Sequence, residues 1–345
     1  MSAIKIRVIG AGVGNTDVNH LIKEHLDWAD IFVGGKRFIS ELKCPETKEK
    51  VIIKGDVRAV LEKIRSAVKL NKNVVVISDG DPLFFGIARG IVQEFGKENV
   101  EVYPNITVAQ VACARLGVPF EEMGVVSLHG KRSFHQVLSA MMDYNIIGIY
   151  TDSASGPKRI ADELVKRDIK EFSMTVLEEL GTDDEKITEF FDVNDVINND
   201  FSAINFVVLK RNSPPGQKIR VGMEDEFYIH EGGLITKREV RAVSISMLEL
   251  DLDSTVWDIG AGCGSVGIEC AAVSRRGRIF CIERDKERVL MIKQNVQRAG
   301  AYIVEAVHGS APECLKDLPV ADRAFIGGGL SEGLSILEYL TENIK

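Results

Sequence analysis

The chain has 345 residues, of which 45% are hydrophobic, 27% charged and 7% aromatic, and its formal net charge is -8. At about 150 residues per domain, that length gives two or three domains, and the composition excludes collagen-like, disordered and small disulfide-framework classes. The excess of 51 acidic over 43 basic side chains argues against broad binding to nucleic acid or anionic membrane, while leaving room for a local basic pocket.

Residues 4–9 predict a strand that follows Met1 too closely to leave space for a signal peptide. It runs into the glycine turn Gly10-Ala-Gly-Val-Gly14. A helix is expected over 17–28 with Asp17 as N-cap. A strand at 31–33 then meets Gly34-Gly-Lys-Arg37 instead of an acidic residue, so no ribose-binding carboxylate is assigned there. Over 56–70, Val57, Val60, Leu61, Ile64 and Val68 follow the helical period. Residues 73–77 predict a strand, and Ser78-Asp-Gly-Asp-Pro82 a sharp turn before a short helix. Such a turn makes a concave backbone site, although glycine and proline also explain a simple β-turn. Further strands are expected at 124–128, 146–150 and 204–209. The alternation implies α/β layering, with a second lobe from about residue 109.

Residues 211–218 carry two prolines and a glycine among polar residues, which reads as a linker. Beyond it the sequence predicts helices at 236–250, 266–273, 287–299 and 331–344, and strands at 255–259, 278–282, 302–307 and 323–326. The strongest site signal is Val256-Trp-Asp-Ile-Gly-Ala-Gly-Cys-Gly264, a strand turning into a helix through Gly260, Ala261, Gly262, Cys263 and Gly264. Glycines let backbone approach a ligand, and free N–H groups at a helix start suit polar or anionic atoms. The spacing is not the dinucleotide G-x-G-x-x-G; the shorter form suits the methionine end of S-adenosylmethionine. Glu283 ends the next strand, where a carboxylate accepts hydrogen bonds from ribose hydroxyls. The competing reading is a generic nucleotide turn with Glu283 solvated.

Two small basic clusters, Lys36 with Arg37 and Lys237 with Arg238 and Arg241, are candidate clamps for substrate carboxylates, against the commoner alternative of a solvated surface. The six cysteines, Cys44, Cys113, Cys263, Cys270, Cys281 and Cys314, form no C-x-x-C pair, and the six histidines show no ligand spacing, so no metal site is assigned. His129 reads as a structural or pocket residue. Neither a P-loop nor a G-x-S-x-G elbow is present. No apolar run approaches the about 18 residues of a membrane span. A cytoplasmic protein without membrane or nucleic-acid partners is expected.

Two families meet in the chain. Residues 1–212 resemble the tetrapyrrole methylases, in particular the corrin C5-methyltransferases. The matching segments are Val8-Ile-Gly-Ala-Gly-Val-Gly14, Ala29-Asp-Ile-Phe-Val-Gly-Gly-Lys-Arg37, Ser78-Asp-Gly-Asp-Pro82, Pro104-Asn-Ile-Thr107 and Ser127-Leu-His-Gly130. After a linker at 213–221, residues 222–345 resemble the decarboxylating corrin C15-methyltransferases. There the matches are Gly222-Met-Glu-Asp-Glu-Phe227, Leu234-Ile-Thr-Lys-Arg-Glu-Val-Arg241, the glycine motif, Cys281-Ile-Glu-Arg-Asp285, Gly309-Ser-Ala-Pro312 and Phe325-Ile-Gly-Gly-Gly329. The two sets in this order resemble the fused precorrin C5,15-methyltransferases of cobalamin biosynthesis.

The resemblance implies an α/β protein: a two-lobed tetrapyrrole methylase fold (lobes about 1–108 and 109–212) followed by a Rossmann-like class I methyltransferase domain. It implies two S-adenosylmethionine sites. One lies between the lobes at Gly80, Asp81, Pro82, Leu83 and Thr107, with Gly10, Gly12 and Gly14 nearer a substrate trough. The other comprises Thr236, Gly260 to Gly264, Glu283 and Ala311. The implied reaction is methylation of a precorrin at C5 by the first half, and at C15 with loss of CO2 from the C12 acetate by the second. No catalytic acid or base is assigned. A homodimer or higher homo-oligomer is expected by analogy. Ser310 stands where the C15 family carries an acidic residue. The sequence supplies four strands of the seven-stranded class I sheet, so the second domain is expected to be truncated, with its fourth strand at an uncovered edge. Two rivals stay open: a class I methyltransferase acting on RNA or protein, and a C5-methyltransferase whose second half only binds cofactor or serves as a scaffold.

Overall fold

The computed structural model describes residues 5–14, 20–41, 47–53, 55, 57–130, 133–213, 217–328 and 333–344. Asp17, Cys44, Asp56 and the linker prolines lie outside the described residues, so the expectations placed on them have no structural counterpart.

The first lobe runs β1 (Ile6–Gly10), α1 (His20–Trp28), β2 (Ile31–Gly34), α2 (Lys36–Glu41), β3 (Glu49–Ile52), α3 (Val57–Lys69), β4 (Val74–Ser78), α4 (Ala88–Phe95) and β5 (Val100–Tyr103). Its five strands are parallel in the order β3-β2-β4-β1-β5. The unbroken apolar run of β4 is buried because helices cover both faces of a parallel sheet. Helix α3 turns Val60, Ile64 and Ala67 onto that core and its charges to water. The C-terminal ends of β1 and β4 meet in an isolated bridge, in which Gly80 N donates to Gly12 O at 3.0 Å.

The second lobe contains α5 (Val108–Leu116), β6 (Met123–Ser127), α6 (His135–Asp143), β7 (Ile146–Tyr150), α7 (Pro157–Lys166), β8 (Phe172–Glu178), β9 (Lys186–Phe190) and β10 (Asn205–Arg211). Its sheet is mixed, β6-β7-β10-β8-β9, with only β6 and β7 parallel. Helix α5 starts in a capping box: Thr107 Oγ1 accepts from Gln110 N, and Gln110 Oε1 accepts from Thr107 N.

The third unit carries α8 (Arg238–Met247), β11 (Thr255–Ile259), α9 (Ser265–Val273), β12 (Arg278–Glu283), α10 (Lys286–Ala299), β13 (Val304–His308), β14 (Arg323–Ile326) and α11 (Gly333–Asn343). Its strands are all parallel in the order β13-β12-β11-β14. Successive residues of β11 and β12 serve opposite cores. Val256, Ile279 and Cys281 pack with α9 and α10, whereas Trp257, Ile259, Phe280 and Ile282 pack with Ile336 and Leu340 of α11. Asp285 caps α10 by accepting from Glu287 N and Arg288 N. Among the described residues β14 is the sheet's edge, and all four of its residues are half-buried.

The second lobe and the third unit are docked. Arg211 lies over Phe172 (4.4 Å) and Tyr302 (5.6 Å), and its Nη1 donates to the Tyr302 hydroxyl at 2.9 Å. That hydroxyl in turn donates to Glu171 at 3.0 Å. Gln297 Nε2 donates to Asp168 O at 2.9 Å, and Ser139 Oγ to Arg275 O at 2.7 Å. One hydrophobic cluster runs from Leu128 through Phe172 to Tyr302 and Val304.

Candidate active sites

Two clefts of about 410 Å³ each open at glycine turns, one between the lobes and one on the third unit. The interlobe cleft is lined by Gly12, Gly14, Gly80 and Asp81 from the first lobe, and by His129, Tyr150, Thr151 and Phe206 from the second. Gly12 and Gly14 thus share a cavity with Gly80 and Asp81, although the resemblance places them apart. Gly14 has φ 84°, and a Cβ there would stand 2.0 Å from the Gly181 carbonyl oxygen, so the two lobes touch at that point. Gly14→Ala is expected to pry them apart, costing about 1–3 kcal/mol in thermal unfolding and weakening ligand binding in this cleft.

The other residues assigned to this site sit beside the cleft. Thr107 is buried in the α5 cap, and its backbone packs under Gly80. Asp81 lines the cavity but spends Oδ1 on its own turn, accepting from Leu83 N at 2.7 Å and Phe84 N at 3.2 Å. Leu83 is exposed, and Pro82 supplies its carbonyl to Ala88 N. Gly10 is likewise outside the lining; a side chain there would strike Gly80 O at 2.2 Å. Lys36 is exposed at the start of α2 and does not line the cleft, and the Arg37 side chain is outside the described structure. The sequence reading missed the aromatic wall of Phe84, Phe85, Tyr150 and Phe206, whose rings meet at 4.8–6.2 Å. Its signal was the Phe84-Phe85 pair directly after the turn.

The second cleft is lined by Thr236, Gly260, Ala261, Gly262, Cys263, Glu283 and Ala311, together with Ser310. Gly264 lies underneath, against Ile292. Gly260 has φ 69°, and a Cβ would meet the Gly328 backbone at 2.8 Å, so only glycine lets the loop after β14 close this wall. Glu283 is buried: Oε2 accepts from Gly262 N at 2.9 Å and Oε1 from Asp285 N at 3.0 Å. Each oxygen keeps a lone pair for a ligand hydroxyl. Above it, Arg288 reaches Glu231 at 3.3 Å and ties down the loop that carries Gly233 and Thr236.

Arg241 requires a correction. It is fully buried and cannot clamp a substrate. Its Nε donates to Glu269 at 2.6 Å, its Nη1 to Asp225 at 3.1 Å and to the Thr236 carbonyl, and its Nη2 to the Met223 carbonyl. Glu269 also accepts from Gly222 N, Met223 N and the Tyr228 hydroxyl. This ion pair binds the segment after the linker to α9 and holds Thr236 at the cleft. Lys237 is exposed and paired with Asp225 at 3.3 Å.

Asp258 is buried beneath the glycine loop; Oδ2 accepts from Gly267 N at 2.9 Å and Oδ1 has no hydrogen-bond partner among the described residues. Burial pushes its carboxyl up to about 7, against the opposing bond from Gly267. Its unfolded value is near 3.9. The folded state therefore binds more protons than the unfolded state between these values, and its stability falls as pH rises from about 4 to about 7. Denaturant titrations at pH 5 and 7.5 should show this slope, and Asp258→Asn should flatten it. No group of metal-ligating side chains is present among the described residues, and no described helix is long and apolar enough to cross a membrane.

Comparison with known proteins matches the two halves of the chain to two methyltransferase families. The family model for tetrapyrrole (corrin/porphyrin) methylases matches residues 5–191, and that for the precorrin methyltransferase domain matches residues 226–344. The precorrin-6Y C(5,15)-methyltransferase [decarboxylating] of Sinorhizobium sp is 30% identical over 343 residues, 97% of this chain and 79% of the relative. The chain belongs to the precorrin-6Y C5,15-methyltransferase family. It is a methyltransferase. A probable cobalt-precorrin-6B C(15)-methyltransferase (decarboxylating) of Pyrobaculum calidifontis is 39% identical over 127 residues, 36% of this chain and 65% of its own length. For the first half, the crystal structure of the methyltransferase CobJ shares the fold, with a TM-score of 0.51 and 17% identity over 61% of this chain and 95% of its own.

Proposed function

We propose that the chain carries two S-adenosylmethionine-dependent C-methyltransferase sites acting on a precorrin ring. The interlobe cleft methylates C5, and the cleft on the third unit methylates C15 with loss of CO2 from the C12 acetate. The observation that carries this reading is the pair of glycine-built clefts on two unrelated sheets, in the order of the two family models. The second cleft fits the cofactor on its own chemistry. The buried Glu283 suits ribose hydroxyls, Gly260 and Gly262 leave side-chain-free space where the methionine end would lie, and Ser310 and Ala311 would flank the adenine. In the first cleft the Gly80–Asp81 backbone and the walls of Tyr150 and Phe206 take the same role.

When bound, the cofactor supplies an electrophilic methyl, so no protein nucleophile is needed. The protein's work is positional. The cleft walls would have to hold the ring carbon about 3–3.5 Å from the methyl and in line with the breaking bond. By analogy the enzyme works in the cytoplasm as a homo-oligomer. Mass spectrometry of the corrinoid product tests the reading: two added methyls with loss of CO2 support it, and an unmodified ring overturns it.

A further inference from the structure

Among the described residues that line the interlobe cleft there is one imidazole, that of His129. It stands just past β6, in the Ser127-Leu-His-Gly130 segment on the second-lobe wall. The fold pins the backbone here. Leu128 N donates to Tyr150 O at 2.8 Å, His129 N to the buried Ser127 Oγ at 3.3 Å, and Gly130 N to Asp152 Oδ2 at 3.3 Å. The ring is anchored too, through Nε2 and the Thr151 carbonyl oxygen. Thr151 is buried, and its Oγ1 reaches Asn205 O and Oδ1 at 2.7 Å each, so that carbonyl is a fixed point. A carbonyl only accepts. Nε2 therefore carries the hydrogen, and in the neutral ring Nδ1 bears a lone pair. Nδ1 has no hydrogen-bond partner among the described residues, and the side chain is exposed. A ring oriented by a third group and open at its other nitrogen is the arrangement of a general base. Of the other titratable groups lining the cleft, Asp79 and Asp81 belong to the first-lobe turn, where Asp81 spends Oδ1 on Leu83 N and Phe84 N. Burial pushes the Tyr150 phenol up, away from proton acceptance.

Methylation in this cleft calls for such a group. When a methyl passes from a sulfonium to a ring carbon, the ring supplies the electron pair of the new C–C bond, and the pair of the broken C–S bond stays on sulfur. The positive charge moves to the ring, which becomes neutral by losing one proton from the methylated carbon or a ring nitrogen. Ring–H and methylsulfonium thus yield methylated ring, thioether and one proton. We propose that His129 Nδ1 is the general base that takes this proton and then passes it to solvent at its exposed edge. The assignment rests on the reading of the interlobe cleft as the C5-methylating site.

Two readouts on the full chain test it. The first needs no turnover. Nitrogen NMR of isotope-labelled histidine, at alkaline pH where imidazole is neutral, is expected to show His129 as the Nε2–H tautomer, its signal assigned by its loss in His129→Gln. An Nδ1–H tautomer overturns the proposal. The second is rate. His129→Gln keeps an N–H for the Thr151 carbonyl but has no base. Single-turnover methylation at C5 is expected to fall about a hundredfold, with melting temperature and S-adenosylhomocysteine affinity unchanged, while methylation at C15 and loss of CO2 continue in the same chain. In His129→Ala, added imidazole is expected to raise the C5 rate about tenfold. An undiminished C5 rate in His129→Gln, or a loss in His129→Ala that imidazole leaves untouched, overturns the base while leaving the two-site reading intact. A wild-type chain that adds no methyl at C5 overturns the reading of the interlobe cleft and the base with it.

Discussion

Replacing Glu283 with alanine is expected to abolish C15 methylation and decarboxylation while leaving C5 methylation intact. The carboxylate is positioned by Gly262 N and Asp285 N, so its orientation is set before any ligand arrives. Removing it deletes the two charge-assisted bonds proposed to a ribose and also releases Gly262, whose N–H anchors the glycine loop. Two such bonds amount to about 3 kcal/mol, or roughly a hundredfold in affinity. The product should therefore carry one added methyl and retain every carboxylate, and calorimetry should count one cofactor site instead of two. A doubly methylated product from this variant would show that the ribose is held elsewhere.

Arg241→Met is expected to produce the largest loss of stability. It leaves the Glu269 carboxylate buried without its cation, a situation that costs about 3–5 kcal/mol. It also removes the donors held by Asp225, Met223 and Thr236. The melting transition of the third unit should fall by about 10 °C or more. Arg241→Lys should recover only part, because one ammonium cannot span a carboxylate, a second carboxylate and two carbonyls. An unchanged melting temperature combined with weaker corrinoid binding would restore the clamp role and sink the structural one.

The history of Arg241 shows where the sequence is legible and where it is not. The order of strands and the cofactor glycines of the third unit could be read because period and punctuation are local: Thr255–Ile259 and Arg323–Ile326 stand where the apolar runs place them. Arg241 has basic neighbours at 237 and 238, but its partner is 28 residues away on α9. The overlooked signal was Glu269 itself, a lone charge in the otherwise apolar Val266–Val273 segment, which has to be answered by a cation once the helix is buried. Strand β8 was legible, since Phe172, Met174 and Val176 alternate with Ser173 and Thr175, but all of its positions are buried, polar ones included, and β9 beside it is a polar edge. The aromatic wall of the interlobe cleft is assembled from residues 84, 85, 150 and 206, which only the closed fold brings together.

The docking of the second lobe onto the third unit has a consequence for cooperativity. Leu128, Ile169 and Phe172 share a single apolar cluster with Tyr302 and Val304, whereas most of the first lobe's interior belongs to separate clusters. Cooperative units follow such clusters instead of chain order. Scanning calorimetry should therefore resolve a boundary near residue 108, inside the segment matched by the tetrapyrrole methylase family. The boundary between the two family matches, 5–191 and 226–344, is then not the boundary at which the molecule is expected to come apart on heating.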